Sequence, residues 1–203
     1  MKWLQEGDKN TKFFHLVASS RKRANHIAKL TIHDKVVDKP GDIQEAITSH
    51  FESLFNKHQA TQVKDLNCNL KMLNENSATL LECPFSEVEV WDVIQHCDGN
   101  KAPGPDGFNL HFFKSQWNVV KDDVMKVLDE FFLSGMLDSR LNKSFIALIL
   151  KCAMPSCLND YRSISLVGSM YKILAKVLAN RLRSVVIEVI GPNQFSFVKG
   201  KQI

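Results

Sequence analysis

The sequence predicts an α+β fold that is mostly helical. Apolar residues recur at helical spacing over much of the chain, near 11–26, 43–55, 87–98, 109–134 and 170–190. The β-rich runs are short and come in neighbouring pairs, as hairpins do. The chain has 203 residues, 44% hydrophobic and 24% charged, which suits one globular domain or two small ones.

Each element has its own signal. Residues 11–26 place Phe13, Phe14, Val17 and Ala18 on one helical face, with Arg21, Lys22 and Arg23 in the last turns. Ile27–Ile32 and Lys35–Asp38 are β-rich runs around His33-Asp34 and predict a hairpin. Pro40-Gly41-Asp42 opens a helix with Asp42 as its expected N-cap. Ile43, Ile47, Phe51, Leu54 and Phe55 mark its apolar face. Residues 59–76 are polar and read as a long connection. Ser86-Glu87-Val88-Glu89 fits a capping box, Ser at N-cap and Glu at N3, ahead of Val90, Trp91 and Ile94. That helix must stop by Gly99, because residues 100–108 hold the densest breaker cluster in the chain. Residues 109–134 then predict one helix through Leu110, Phe113, Trp117, Val120, Val124, Val127, Leu128 and Phe131, closed by Gly135. Ser144–Leu150 is an unbroken apolar run, expected to be a buried strand, and Tyr161–Val167 its hairpin partner. Residues 170–190 are the clearest helix, ended by Gly191 at C′ and Pro192 beyond, with a further strand expected toward Ile203.

Charge is uneven along the chain. Lys and Arg number 26 against 22 Asp and Glu, a net +4. Residues 1–35 carry +5, residues 36–142 carry −8, and residues 143–203 carry +7. Basic ends around an acidic middle point to a polyanionic partner at the ends. The longest apolar run, Phe145–Leu150, is too short to span a membrane, and residues 1–20 have no secretory signal. The five cysteines are an odd number without zinc-finger spacing, so they read as reduced thiols of an intracellular protein.

Few residues carry obvious chemistry. Lys151 follows the apolar strand and Arg162 lies on the returning one. Two cations on one hairpin can grip a phosphate chain, Arg as a planar fork and Lys as a point charge. On spacing alone, a solvated hairpin edge is the better account of both. Residues 101–107 lack the spacing of a phosphate-binding loop, so a rigid turn between helices explains them too. On the last helix Lys172, Lys176 and Arg183 share a narrow arc, suited to phosphate contact or to solvent. Arg181 falls among the apolar residues instead. A buried Arg needs a partner, so a carboxylate from the acidic middle, of which the helix 109–134 carries several, or a set of backbone carbonyls is expected to meet it. Asp122 and Asp123 sit at adjacent helical positions and diverge by about 100°, so they read as surface charge rather than a metal pair.

Several motifs, in order, carry a resemblance. Asn100-Lys101-Ala102-Pro103-Gly104-Pro105-Asp106-Gly107-Phe108 resembles a signature of the non-LTR, LINE-type retrotransposon reverse transcriptases, most like those of plants. Ala147–Lys151 resembles that family's A-L-I-P-K, and Asn159–Leu166 its N-D-[FY]-R-P-I-S-L. Tyr171–Leu182 resembles the helix that follows, and Gln194–Ile203 the family's Q-S-A-F-V-K-G-R-Q-I. Residues 3–15 resemble the linker between endonuclease and polymerase.

The resemblance implies residues 1–85 as an N-terminal extension after an endonuclease domain. It implies residues 86–203 as the fingers and partial palm of a right-hand polymerase fold. Lys151 and Arg162 would face nucleotide phosphates. Lys101, Gly104, Asp106, Gln194, Phe197 and Gly200 would lie along the template, and Lys172, Lys176 and Arg183 would form a basic face. RNA template and DNA primer would be the partners. Mg2+ would serve the full-length family, although no catalytic aspartate motif or metal ligand set is found in this sequence, which predicts no synthesis by this chain alone. Leu150 and Ser163 stand where the family has Pro, which frees φ at both ends of the hairpin. The competing readings are a nucleic-acid-binding module without catalysis and an interaction protein that uses the acidic middle.

Overall fold

The computed structural model describes residues 12–32, 35–55, 71–191 and 194. The fold is α+β, with the helices dominant and two small two-stranded sheets. The chain divides into two compact units, Met1–Val63 with Ile146–Ile164, and Lys64–Phe145 with Ser165–Ile203.

The first unit begins with α1 (Lys12–Ala24), which has no acid in its first turn and ends on Arg21, Lys22 and Arg23. Cations there suit the negative end of the helix. The side chains of Phe13 and Phe14 lie outside the described residues. The expected hairpin is present: β1 (Leu30–Ile32) pairs antiparallel with β2 (Lys35–Val37), Leu30 opposite Val37. In α2 (Pro40–Phe55) the proline is itself the first helical residue. Its missing N–H costs nothing there. Asp42 therefore lies inside the first turn and is not the N-cap that its residue type suggests. Ile43 is buried, Ile47 and Phe51 are half-buried, and Leu54 and Phe55 are exposed, so the apolar face is shorter than the periodicity implies. Leu30, Ile43 and Tyr161 form the core, with Ile47, Leu148, Leu150 and Leu158 packed against it.

The second sheet pairs β3 (Ser144–Leu150) with β4 (Tyr161–Val167), at the bounds the sequence predicts. The expectation of a buried strand is wrong. Phe145, Ile146 and Ile149 are exposed. Side chains alternate across a strand, and a two-stranded sheet with one covered face can bury only half of an apolar run. Leu148 and Leu150 are the pair that turn inward.

The second unit holds five helices among its described residues. α3 (Glu75–Glu82) starts inside the stretch expected to be a connection. Asn74 caps it, its Oδ1 accepting the Ser77 N–H at 2.9 Å. α4 (Glu87–His96) is capped by Ser86 as expected, with the Glu89 N–H donated to Oγ at 3.2 Å. The single helix expected over 109–134 is two, α5 (Leu110–Ser115) and α6 (Trp117–Ser134), broken at Gln116. The Ser115 hydroxyl donates to the Phe112 carbonyl at 3.1 Å, a local bond that competes with helix continuation. Gly135 ends α6 in the left-handed region, φ 67°. α7 (Ser169–Val189) ends differently: Ile190 turns extended, and Gly191 is not among the positive-φ glycines.

Twelve buried residues from Phe85, α4, α5, α6 and α7 make the core of this unit. Trp91 stacks on Trp117 with ring centroids 5.1 Å apart. On α7, Ile173, Leu174, Val177 and Val185 are buried, while the apolar Leu182 and Val189 are exposed. No described helix is long and apolar enough to cross a membrane.

Candidate nucleic-acid interface

The proline-glycine loop is a structural joint of the second unit. Pro105 and Asp106 occupy a tight turn closed by the Gly107 N–H on the Gly104 carbonyl at 3.1 Å. Gly107 then takes a positive φ of 73°. A Cβ on Gly104 would overlap the backbone of Val167 and Gly168, so the close approach itself requires glycine. Asp106 Oδ2 accepts the Ser169 N–H, an orphan donor at the start of α7, and its charge suits the positive end of that helix. The Ser169 hydroxyl answers by donating to the Phe108 carbonyl at 2.7 Å. Lys172 Nζ donates to the Ala102 carbonyl at 3.2 Å. Gly104 and Asp106, named for template contact, are thus held against α7.

Asp106 Oδ1 is buried and has no hydrogen-bond partner among the described residues. A concavity of about 320 Å³ beside the loop is lined by Asp106, Arg140, Lys143, Gly168 and Met170, among others. Arg140 is held by Asp138 at 2.7 Å, and this pair keeps the Asp138 carboxyl down at about 2.

The cations of the second unit differ in how free they are. Lys101 and Arg183 are exposed and Lys176 is half-buried, and no described residue pairs with any of them. Lys172 is tied to the loop. Positions 172, 176 and 183 fall along one stripe of α7, so the basic arc exists as spaced. Arg181 is the opposite case, only 5% exposed. It donates to both carboxylate oxygens of Glu89 at 2.7 Å, to the carbonyl of Cys83 at 2.6 Å and to that of Pro84 at 2.9 Å. It also lies 4.6 Å over the Phe85 ring. The bidentate bond to Glu89 raises its pKa, against the effect of burial. Both a carboxylate and a carbonyl set therefore meet Arg181, as burial demands, and the carboxylate, Glu89 of α4, comes from the acidic middle. Glu89 cannot then reach back to Ser86, and the capping box is half made.

In the first unit the hairpin carries Lys151 and Arg162, both exposed. Lys151 Nζ donates to the Asn159 carbonyl at 2.8 Å, and its backbone N–H to the Asp160 carbonyl at 2.8 Å. Arg162 has no partner among the described residues. The Asp160 carboxylate accepts the backbone N–H groups of Ser156 at 2.8 Å and Cys157 at 3.0 Å. These bonds, Ser156 first, hold its carboxyl at about 2. Sequence reasoning missed Asp160; the signal was an acid three residues after Cys157, where a side chain can reach back to the N–H groups that open a short helical turn.

The remaining sites are scattered. Gln194 is exposed beyond the C-terminal end of α7. The helix has 21 residues and so is about 30 Å long, which puts Gln194 far from the loop at its N-terminal end. Phe197 and Gly200 lie outside the described residues. No group of three or more His, Cys, Asp or Glu among the described residues is placed to hold a metal ion, and Asp122 and Asp123 are exposed neighbours on α6. The four described cysteines, Cys83, Cys97, Cys152 and Cys157, are free.

No protein-family profile matches the chain. Two curated relatives do. One is the transposon TX1 uncharacterized 149 kDa protein of Xenopus laevis, 28% identical over 206 residues that cover 100% of this chain and 16% of the relative. The other is a retrovirus-related Pol polyprotein from the type-1 retrotransposable element R1 of Bradysia coprophila, 26% identical over 116 residues, 56% of this chain and 12% of the relative. The chain spans less than a fifth of either. Neither relative is from a plant, so the plant-like part of the resemblance has no support here. The retrotransposon part has support: the chain is similar to a transposon protein and to a retrotransposon Pol polyprotein.

Proposed function

We propose that this chain is a segment of an RNA-directed DNA polymerase of a non-LTR retrotransposon. In this reading residues 86–203 are the fingers and the start of the palm, and residues 1–85 an N-terminal extension. The segment binds template and nucleotide phosphates, and the catalytic carboxylates belong to other parts of the enzyme. One observation carries the reading: motifs in polymerase order lie on a chain in which the exposed Lys101, Arg162 and Arg183 and the half-buried Lys176 have no acidic partner among the described residues. Cations left unpaired at a surface suit a polyanion.

Phosphate contact makes affinity fall steeply with salt. The test is binding of the purified chain to single-stranded RNA and DNA across salt concentrations. The expected result is weak binding, little sequence preference, and a salt slope that shrinks when Lys172, Lys176 and Arg183 are all changed to Ala. No template-dependent nucleotide incorporation is expected. Salt-insensitive binding would argue for the interaction-protein alternative, and incorporation lost on Asp122→Asn would overturn the non-catalytic role.

A further inference from the structure

We infer that Asp160 is a positioning residue for Lys151: its carboxylate folds the turn that presents the carbonyl on which the Lys151 ammonium sits. The inference rests on the nucleotide-phosphate reading of Lys151 and deepens it.

Residues 151–160 join two strands and contain little regular structure except a 3₁₀ turn, Leu158–Asp160. A ten-residue link of this kind has many conformations open to it. One carboxylate removes most of them. Asp160 Oδ2 gathers the Ser156 N–H, the Ser156 hydroxyl at 3.2 Å, the Cys157 N–H and, weakly, the Cys157 thiol at 3.5 Å. The Asp160 N–H returns to the Cys157 carbonyl at 3.1 Å. The turn is also tied at both ends. The Ser156 carbonyl accepts the Thr31 N–H from β1 at 2.6 Å, and the Asp160 carbonyl accepts the Lys151 N–H.

Asn159 sits inside this frame, so its carbonyl has a fixed direction. Lys151 Nζ uses that carbonyl as its acceptor. A lysine side chain has four rotatable bonds, and a single exposed hydrogen bond does not hold it unless the acceptor is already in place. An ammonium has three donors, so two remain for a phosphate after Asn159 has taken one. The arrangement aims a charge that would otherwise sweep the surface. Asp160 touches no ligand in this scheme; it acts through the Asn159 carbonyl.

Acetylation of lysines in the intact chain, read residue by residue by mass spectrometry, tests the positioning. Lys151 should react several-fold more slowly than exposed, unpartnered Lys101. Asp160→Ala should abolish that difference, with Lys29, Lys35 and Lys39 of the same unit unchanged. Asp160→Asn, which keeps a carbonyl acceptor for the two N–H groups, should restore most of it. If Asp160→Ala does not fold, Asp160→Asn against wild type decides, an intermediate rate being expected. A Lys151 rate equal to that of Lys101 in the wild-type chain, or unmoved in both variants, overturns the inference. Binding of dTTP separates the two readings. Lys151→Ala and Asp160→Ala should weaken it by the same factor, and the double variant by no more than either alone. If labelling behaves as stated and Lys151→Ala leaves dTTP binding unchanged, the nucleotide reading fails and the positioning stands.

Discussion

The two units solve the same problem, fixing a surface loop, with unequal means. In the second unit the loop 100–108 closes onto α7, and twelve buried residues stand behind it. In the first, the turn 156–160 closes on one carboxylate over three buried residues. The first device costs generality: Gly104 and Asp106 are committed to the protein and have little left for a ligand. The second leaves Lys151 and Arg162 exposed. Rigidity and availability are traded between the units, and the cations suited to a polyanion lie where the packing is thinnest or along the outer stripe of α7.

The comparison can be broken most sharply at Arg181. Removing one partner of a buried, bidentate ion pair strands the other and unpairs two carbonyls, a loss of about 3–5 kcal/mol. Arg183→Ala, an exposed change, should stay within about 0.5 kcal/mol. Denaturant titrations read both, and equal midpoints would show that α7 is not anchored by this residue.

Leu30 makes the matching test of the smaller core. Leu30→Ala should cost about 2–5 kcal/mol by cavity formation. With so few buried neighbours, the loss should surface as faster amide exchange across β1, β2 and α2 while α4, α6 and α7 stay protected. Equal loss of protection in all of them would mean that the units unfold as one.

A smaller effect is expected at Asp106. Asp106→Ala removes a carboxylate cap from the first turn of α7, about 1–2 kcal/mol. Asp106→Asn should recover part of it, because an amide oxygen still accepts the Ser169 N–H. A lowered midpoint without change in the denaturant slope is the expected signature.

The smallest effect concerns acid. Asp160 sits at about 2 against an ordinary 3.8, held down by the Ser156 and Cys157 N–H groups. A carboxyl depressed on folding adds stability that is full above the unfolded value and is lost as pH falls through the folded one. The 156–160 turn should therefore hold at pH 5 and loosen between about pH 4 and 2. The Ser156 amide resonance should titrate with a midpoint near 2, and a midpoint near 4 would show that the carboxylate is not bonded.

Much of this arrangement is legible in the sequence, for definable reasons. Gly135, Ser86 and the strand bounds 144–150 and 161–167 are set by local chemistry, which sequence carries. The depth of burial is not local. Phe145 and Ile149 are as apolar as Leu148, and only the number of strands decides which of them face out. Arg181 shows both sides. Helical phase alone places it among buried residues and so demands partners. It cannot name Glu89, whose place at N3 gives it a sufficient local job with Ser86. The break at Gln116 hides because Phe113 and Trp117 keep helical spacing across it. Asp160 hides because an Asp after Asn159 reads as an ordinary loop residue until Ser156 is folded beside it.

The Arg181 contacts also set an order of events. They join residues 92 to 100 positions apart, and the Asp106 cap joins residues 63 apart. Closing such loops is entropically slow, and a chain leaving the ribosome cannot close them before its later half emerges. Until then Val90, Val93 and Ile94 lack the α7 residues Ile173, Leu174 and Val177 that share their core. The nascent chain therefore carries a sticky apolar face from the emergence of α4 until α7 follows it, and α7 is the piece that retires it.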